Sequence, residues 1–223
     1  MLREIKIYMG VPMKVTAEQF KLYAVTDRSW LRPGETLAQV AEELLRAGVT
    51  CLQLREKDAP DDLFLKEALE LKEVCGLYHV PLIINDRPDI AKETGADGVH
   101  LGLSDMKPEK TRELLGDGFI IGGSAHNVQE ALAAQAAGVD YIGCGAVFGS
   151  HTKEDVTSLR IEELKAICQS VHIPTVAIGG INLENISLLA ETGVSGVAVI
   201  SALFAAEDKT AAVKEFLKLL RQF

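Results

Sequence analysis

Cysteine is scarce in this chain of 223 residues, and what there is lies scattered. Cys51, Cys75, Cys144 and Cys168 form no C-x-x-C pair, which removes the usual signature of a zinc ribbon or a dithiol redox centre. Isolated cysteines read as small apolar packers in a reducing compartment. No apolar run is long enough to span a membrane, and residues 1–20 alternate charge with short apolar stretches rather than opening on a signal peptide. A cytoplasmic location is expected, with no membrane partner. A basic excess is also lacking. The net charge is −9, which argues against nonspecific nucleic-acid binding while leaving room for a local basic pocket. A Pro/Ser-rich linker is absent, so one domain is expected, and no feature sets an oligomeric state.

What the chain does contain is an apolar reserve of 48% of its residues, arranged with a rhythm. Short β-rich runs fall at 22–26, 51–54, 81–85, 98–101, 119–123, 141–145, 175–180 and 196–201. Between and after them lie segments with apolar residues at helical spacing: 36–47, 61–76, 88–94, 108–115, 127–137, 161–170, 183–191 and 209–222. Thr36 and Asn127 are candidate helix caps. Glycines close several of the helical segments before the next run, as at 47–49 and 137–140. Eight βα units in a chain of this size predict a single-domain (β/α)8 barrel over 21–223, with residues 1–20 as a short N-terminal extension. The rival is an open doubly wound sheet for a dinucleotide. It should carry G-x-G-x-x-G after the first strand, where Thr26-Asp27-Arg28 stands instead.

In such a barrel the C-terminal ends of the strands build the active site. Polar residues concentrate there. Gln53, Arg55 and Lys57 alternate after the second run and so would share one face. An amide, a guanidinium and an ammonium in a row suit a phosphate-bearing ligand. The same residues could instead be a solvated charge run partnered by Glu56. Asp86 and Asp105 follow the third and fourth runs. Two carboxylates on neighbouring strand ends can hold one Mg2+, which prefers oxygen and completes its shell with substrate phosphates; each alone could equally be a turn residue or cap. The loop Gly149-Ser150-His151-Thr152-Lys153 is small, hydroxylated and basic, either an oxyanion wrap or an ordinary loop. The clearest phosphate signal is Gly179-Gly180 after the seventh run, with Ile200-Ser201 opening a short helix after the eighth. His100 is expected to pack near the barrel top, and His126 to cap or orient its neighbours. His79 and His172 read as surface residues, and no Ser/His/Asp or Cys/His triad is indicated.

Taken together, Leu52-Gln53-Leu54-Arg55-Glu56-Lys57, Ile84-Asn85-Asp86-Arg87, Gly98-Val99-His100-Leu101-Gly102 with Asp105, Ser124-Ala125-His126, Thr152-Lys153, Ala177-Ile178-Gly179-Gly180-Ile181 and Ile200-Ser201 closely resemble the thiamin-phosphate synthase family. The likeness runs in order over roughly residues 20–222 and is specific as a set. It implies an enzyme that condenses a pyrimidine diphosphate with a thiazole phosphate, or its carboxylated form, and releases pyrophosphate. It further implies that Gln53, Leu54, Arg55, Glu56, Lys57, Asn85, Ser124 and Lys153 hold the pyrimidine diphosphate. Asp86 and Asp105 would bind Mg2+ as the cofactor. Arg55, Lys57 and Lys153 would stabilise the leaving diphosphate, and Ser150, His151, Thr152, Gly180, Ile200 and Ser201 would receive the thiazole phosphate.

The chain departs from the family pattern at Leu103, where Gln is common, and at Gly149-Ser150, where Pro-Thr is common. Ala146 stands where the related thiazole tautomerases use His. Two alternatives accompany the synthase reading: thiazole tautomerisation, which Ala146 and the retained Asp86, Asp105, Arg55 and Lys57 weaken, and a noncatalytic phosphate-ligand-binding paralogue.

Overall fold

A computed structural model describes residues 15–57, 59–149 and 158–223. Eight parallel strands close into a barrel in sequence order: β1 (Leu22–Val25), β2 (Cys51–Leu54), β3 (Leu82–Asn85), β4 (Gly98–Leu101), β5 (Ile120–Ala125), β6 (Tyr141–Gly145), β7 (Thr175–Ile178) and β8 (Gly196–Val199). The seam is made by β1 and β8, with Leu22 opposite Val197 and Ala24 opposite Val199. Around the strands lie α1 (Leu37–Ala47), α2 (Asp61–Tyr78), α3 (Pro88–Thr94), α4 (Pro108–Leu115), α5 (Val128–Ala136), α6 (Ile161–Ser170), α7 (Ser201–Phe204) and α8 (Lys209–Leu220). The expected (β/α)8 barrel is the fold found, and no helix among the described residues is long and apolar enough to cross a membrane.

Strand parity divides the core in two. Leu22, Ala24, Leu52, Leu54, Leu82, Ile84, Val99 and Leu101 face outward and pack against the helices. Tyr23, Val25, Cys51, Ile83, Tyr141, Val176 and Ala198 face inward and fill the barrel. Alternate residues on a strand point to opposite faces, so one strand serves both layers. Each fully buried Leu or Ile of the outer layer contributes about 1.5–3 kcal/mol relative to exposure, and this layer holds the helices to the sheet.

α1 shows the local logic. Leu37, Val40, Ala41, Leu44 and Leu45 form its buried stripe. Thr36 and Gln39 close a reciprocal capping box at its start, the Thr36 hydroxyl accepting from Gln39 N at 3.2 Å. The helix ends at Gly48, whose φ of 120° few L-residues adopt. Asn127 likewise caps α5, its Oδ1 accepting from Glu130 N at 2.9 Å. Two acids at the base of the barrel act as clamps. Asp97 accepts from Leu82 N and Lys72 Nζ, and Asp140 accepts from Ile121 N and Arg112 Nη2. Each ties a helix to the start of a strand.

One expected helix is not formed. The stretch 183–191 holds only a 3-10 turn, Ile186–Leu189. Asn182 Oδ1 accepts from Glu184 N and Asn185 N, while Asn185 Oδ1 accepts from Asn182 N and its amide donates to Gly180 O. These side chains satisfy the backbone locally and displace the first helical turn. At the other end of the chain, Val15 and Phe20 are buried inside the barrel, and Phe20 stacks on Tyr141 with ring centroids 4.3 Å apart. Val15 and Phe20 therefore plug the barrel base.

Candidate functional site

Because all eight strands run parallel, their C-terminal ends share one mouth. β2 delivers Gln53 and then Arg55 and Lys57. Gln53 lies inside the barrel, its amide donating to Tyr23 OH at 2.7 Å. Thr26, fully buried at the end of β1, accepts from Arg55 N at 2.9 Å. That bond carries the β2 direction past its last ladder residue. Gln53 faces inward, and Arg55 and Lys57 follow at alternate positions, Arg55 half-buried and Lys57 exposed. Leu54 and Glu56 have the opposite parity, so their side chains leave the stretch on the other face. Leu54 is fully buried against the helices. Glu56 pairs with Arg28 at 2.8 Å, with its side chain only 3% exposed. Arg28 also pairs with Glu67 of α2. Burial holds the Glu56 carboxyl above the ordinary glutamate range, outweighing the opposing pull of Arg28.

β3 ends at Asn85, whose amide donates to Asp86 Oδ2 at 2.6 Å. Asp86 is exposed, with a left-handed φ of 60°, and its N–H donates to His100 O on β4. Non-glycine residues in that region are uncommon and collect where a side chain must be aimed. Asp105 Oδ2 accepts from Gly102 N at 2.7 Å, just beyond β4. Both carboxylates are thus anchored to the same strand end, Asp86 through its backbone and Asp105 through its side chain. Carboxylate and amide oxygens are the donor types a hard cation takes. Among the described residues, no group of three or more His, Cys, Asp or Glu is gathered as an all-protein metal cage would require. Arg87, next in sequence, is spent elsewhere: it pairs with Asp61 and Asp89 and lies over the Phe64 ring.

Ser124 is half-buried on β5, with its Oγ 3.1 Å from His100 Nε2. His126 Nδ1 lies 3.0 Å from Glu130, and so orients the start of α5. After β7, Gly179 and Gly180 both have positive φ, and a Cβ on Gly180 would stand 2.6 Å from Phe148 O. The β7 turn therefore lies flush against the chain leaving β6. Ile200 precedes α7 and Ser201 is its first residue, exposed at the mouth. The first N–H groups of a helix have no partner in its own ladder. Ser150, His151, Thr152 and Lys153 lie outside the described residues.

The four cysteines are free, and the three on or against the sheet are buried. Burial pushes the Cys75 thiol up to about 12, which removes it as a nucleophile. A groove of about 590 Å3 opens at the opposite end of the barrel, beside Lys72, His79 and Asp97. It is far from the C-terminal strand ends and holds none of the candidate site residues there. The geometry of the mouth is the better guide.

A family model described as thiamine monophosphate synthase matches residues 22–203. The chain belongs to the thiamine monophosphate synthase family. It is 47% identical over 198 residues to a thiamine-phosphate synthase of Fusobacterium nucleatum, covering 89% of this chain and 96% of the relative. It is 48% identical over 202 residues to a thiamine-phosphate synthase of Clostridium acetobutylicum, covering 89% and 95%. A solved thiamine phosphate pyrophosphorylase from Pyrococcus furiosus superposes with a TM-score of 0.84 at 37% identity, over 92% of this chain and 97% of that one. Two departures from the family pattern can be located. Leu103 is exposed beyond β4, and Ala146 is buried directly after β6, its Cβ 2.4 Å from where a Gly179 Cβ would stand.

Sequence reasoning passed over Tyr23 and Tyr141, the two phenols inside the barrel. Their signal is a polar atom at an inward position in otherwise apolar strands. It becomes informative only once the parity of β1 and β6 is known.

Proposed function

We propose that this chain is a thiamin-phosphate synthase of the cytoplasm, a Mg2+-dependent transferase. It joins hydroxymethylpyrimidine diphosphate to thiazole phosphate, or to its carboxylated form, and releases pyrophosphate. What supports the reading is that Arg55, Lys57, Asp86 and Asp105 all follow the C-terminal ends of parallel barrel strands, in a chain close in sequence to synthases over nearly its full length.

In this reading Gln53, Arg55, Lys57, Asn85 and Ser124 hold the pyrimidine diphosphate, with Lys153 from the loop after β6. Leu54 and Glu56 contribute through their backbone, since their side chains face away. Asp86 and Asp105 would hold Mg2+, which when bound would supply neutralising charge to the diphosphate. Arg55, Lys57 and Lys153 stabilise the negative charge that grows on the leaving pyrophosphate as the carbon–oxygen bond breaks and its electron pair departs. Gly180, Ile200 and Ser201, with Ser150, His151 and Thr152, fix the thiazole phosphate. The ring nitrogen is thereby held near the pyrimidine methylene carbon, where its lone pair forms the new carbon–nitrogen bond. That nitrogen carries no proton to remove, so no general base is required.

The test is pyrophosphate release by the purified protein given both substrates and Mg2+. Release that needs both substrates and stops on chelation supports the reading. Turnover of a thiazole alone, without metal or pyrimidine diphosphate, would replace it with tautomerisation; tight ligand binding with no release would make the chain a noncatalytic binder.

A further inference from the structure

Five side chains from five strands form one line of hydrogen bonds across the barrel interior. Gln53 Nε2 donates to Tyr23 OH at 2.7 Å. Tyr23 OH lies 2.9 Å from Tyr141 OH. Tyr141 OH lies 2.9 Å from His100 Nδ1, and His100 Nε2 lies 3.1 Å from Ser124 Oγ. Both phenols are buried, and burial lifts each well above the ordinary tyrosine range, so both stay neutral near neutral pH. Space for the line is built into the strands. A Cβ on Gly122 would stand 2.3 Å from Tyr141 Cζ, and one on Gly143 would stand 3.0 Å from His100 Cε1. Phe20 packs against the Tyr141 ring from below.

The line has a direction. A neutral hydroxyl has one proton to donate. Tyr23 accepts from the Gln53 amide, so its proton is left for Tyr141. Cys51 adjoins Tyr23, but a thiol is a weak acceptor. Tyr141 in turn directs its proton to His100 Nδ1. The imidazole then carries its proton on Nε2 and donates it to Ser124 Oγ. The opposite sense would set the Tyr23 proton against the Gln53 N–H inside a buried core, at the cost of an unsatisfied polar group. With one lone pair of Ser124 occupied by His100, its hydroxyl proton is free for an acceptor at the mouth.

We propose that Tyr23 and Tyr141 are positioning residues that hold His100 in the Nε2–H tautomer, so that Ser124 presents its hydroxyl proton to a hydrogen-bond acceptor on the bound pyrimidine. This rests on the reading that Ser124 faces the pyrimidine diphosphate. Neither tyrosine touches substrate; both act through His100.

The test is Tyr141→Phe, which keeps the ring and its stacking while deleting the hydroxyl. Long-range proton–nitrogen NMR of the substrate-free protein reads the His100 tautomer directly. Wild type is expected as Nε2–H, and Tyr141→Phe as a mixture containing Nδ1–H. In kinetics, Tyr141→Phe should raise the KM for the pyrimidine diphosphate about tenfold, the scale of one hydrogen bond, and leave that for the thiazole phosphate within about twofold. In a Ser124→Ala background the same change should raise the pyrimidine KM no further. If Tyr141→Phe fails to fold, Tyr23→Phe breaks the line one link earlier and is held to the same tautomer criterion. A wild-type His100 found as Nδ1–H, or fully multiplicative effects of Tyr141→Phe and Ser124→Ala, overturns the relay and leaves the activity standing. Absence of pyrophosphate release by wild type removes the functional reading, and the tautomer measurement still decides the relay.

Discussion

Gly180 and Gly95 share one backbone angle, φ +64°, in different surroundings. A Cβ on Gly95 meets nothing within 4 Å, whereas one on Gly180 would stand 2.6 Å from Phe148 O and 2.9 Å from Gly149 O. The pair therefore separates backbone strain from collision. A left-handed conformation costs an L-residue about 1–2 kcal/mol, and Gly95→Ala should bear this alone. At about 2–4 °C per kcal/mol for a chain of this size, its Tm should fall by about 2–8 °C. Gly180→Ala bears the same strain and must also clear two backbone oxygens. Ordinary contact begins at 3.4 Å, so the turn must shift by about 0.8 Å. It cannot do so freely, because Phe148 N donates to Gly179 O and Asn185 donates to Gly180 O. A misplacement of about 1 Å at a substrate-positioning group can cost on the order of 100-fold. We expect Gly180→Ala to raise the thiazole phosphate KM at least about tenfold while the pyrimidine diphosphate KM stays within about twofold. Steady-state pyrophosphate release with each substrate varied in turn, beside a thermal melt, measures both. If Gly180→Ala matches Gly95→Ala in KM values and in Tm, the phosphate role of this turn is refuted.

Four further outcomes are expected. Arg55→Ala and Asp86→Ala should each lower turnover by at least about 100-fold, the scale of losing one electrostatic stabiliser; near-normal rates in both would refute the assigned roles. Ser201→Asp should weaken thiazole phosphate binding by charge repulsion, and an unchanged KM for that substrate would count against a phosphate at α7. Thr36→Ala, which breaks the capping box of α1, should cost about 1 kcal/mol in urea denaturation with catalysis intact. Glu56 protonates more readily in the folded protein than in the unfolded chain, because burial raises its folded-state pKa. Its contribution to stability is thus complete below the unfolded value and is lost as pH rises through the folded one. Glu56→Gln should flatten that part of the stability curve in denaturation run across pH, and an unchanged slope would show that burial does not dominate there.

Short continuous apolar runs made β1 to β8 legible, because parallel strands buried on both faces must be apolar on both. Strand alternation made Gln53, Arg55 and Lys57 legible as one face. Reading the same stretch as a continuous motif hid the fact that Leu54 and Glu56 turn the other way. The segment 183–191 has helical spacing, but its spacing could not show that Asn182 and Asn185 would bond the backbone first. Tyr23 and Tyr141 are 118 residues apart in the chain, and no local pattern connects them. Asp97 and Asp140 look like any other acids until Lys72 and Arg112 are brought to them.

The sequence by itself determined the eight strands, their order and the residue types carried at each strand end, since these depend on apolar patterning and on residue type at fixed offsets. Only the tertiary structure decided which side chains share an interior, because closing β8 onto β1 joins groups whose separation along the chain bears no relation to their distance in space. Hydrogen bonds and burial act over a few ångströms, so the line from Gln53 to Ser124 exists only once that closure is made.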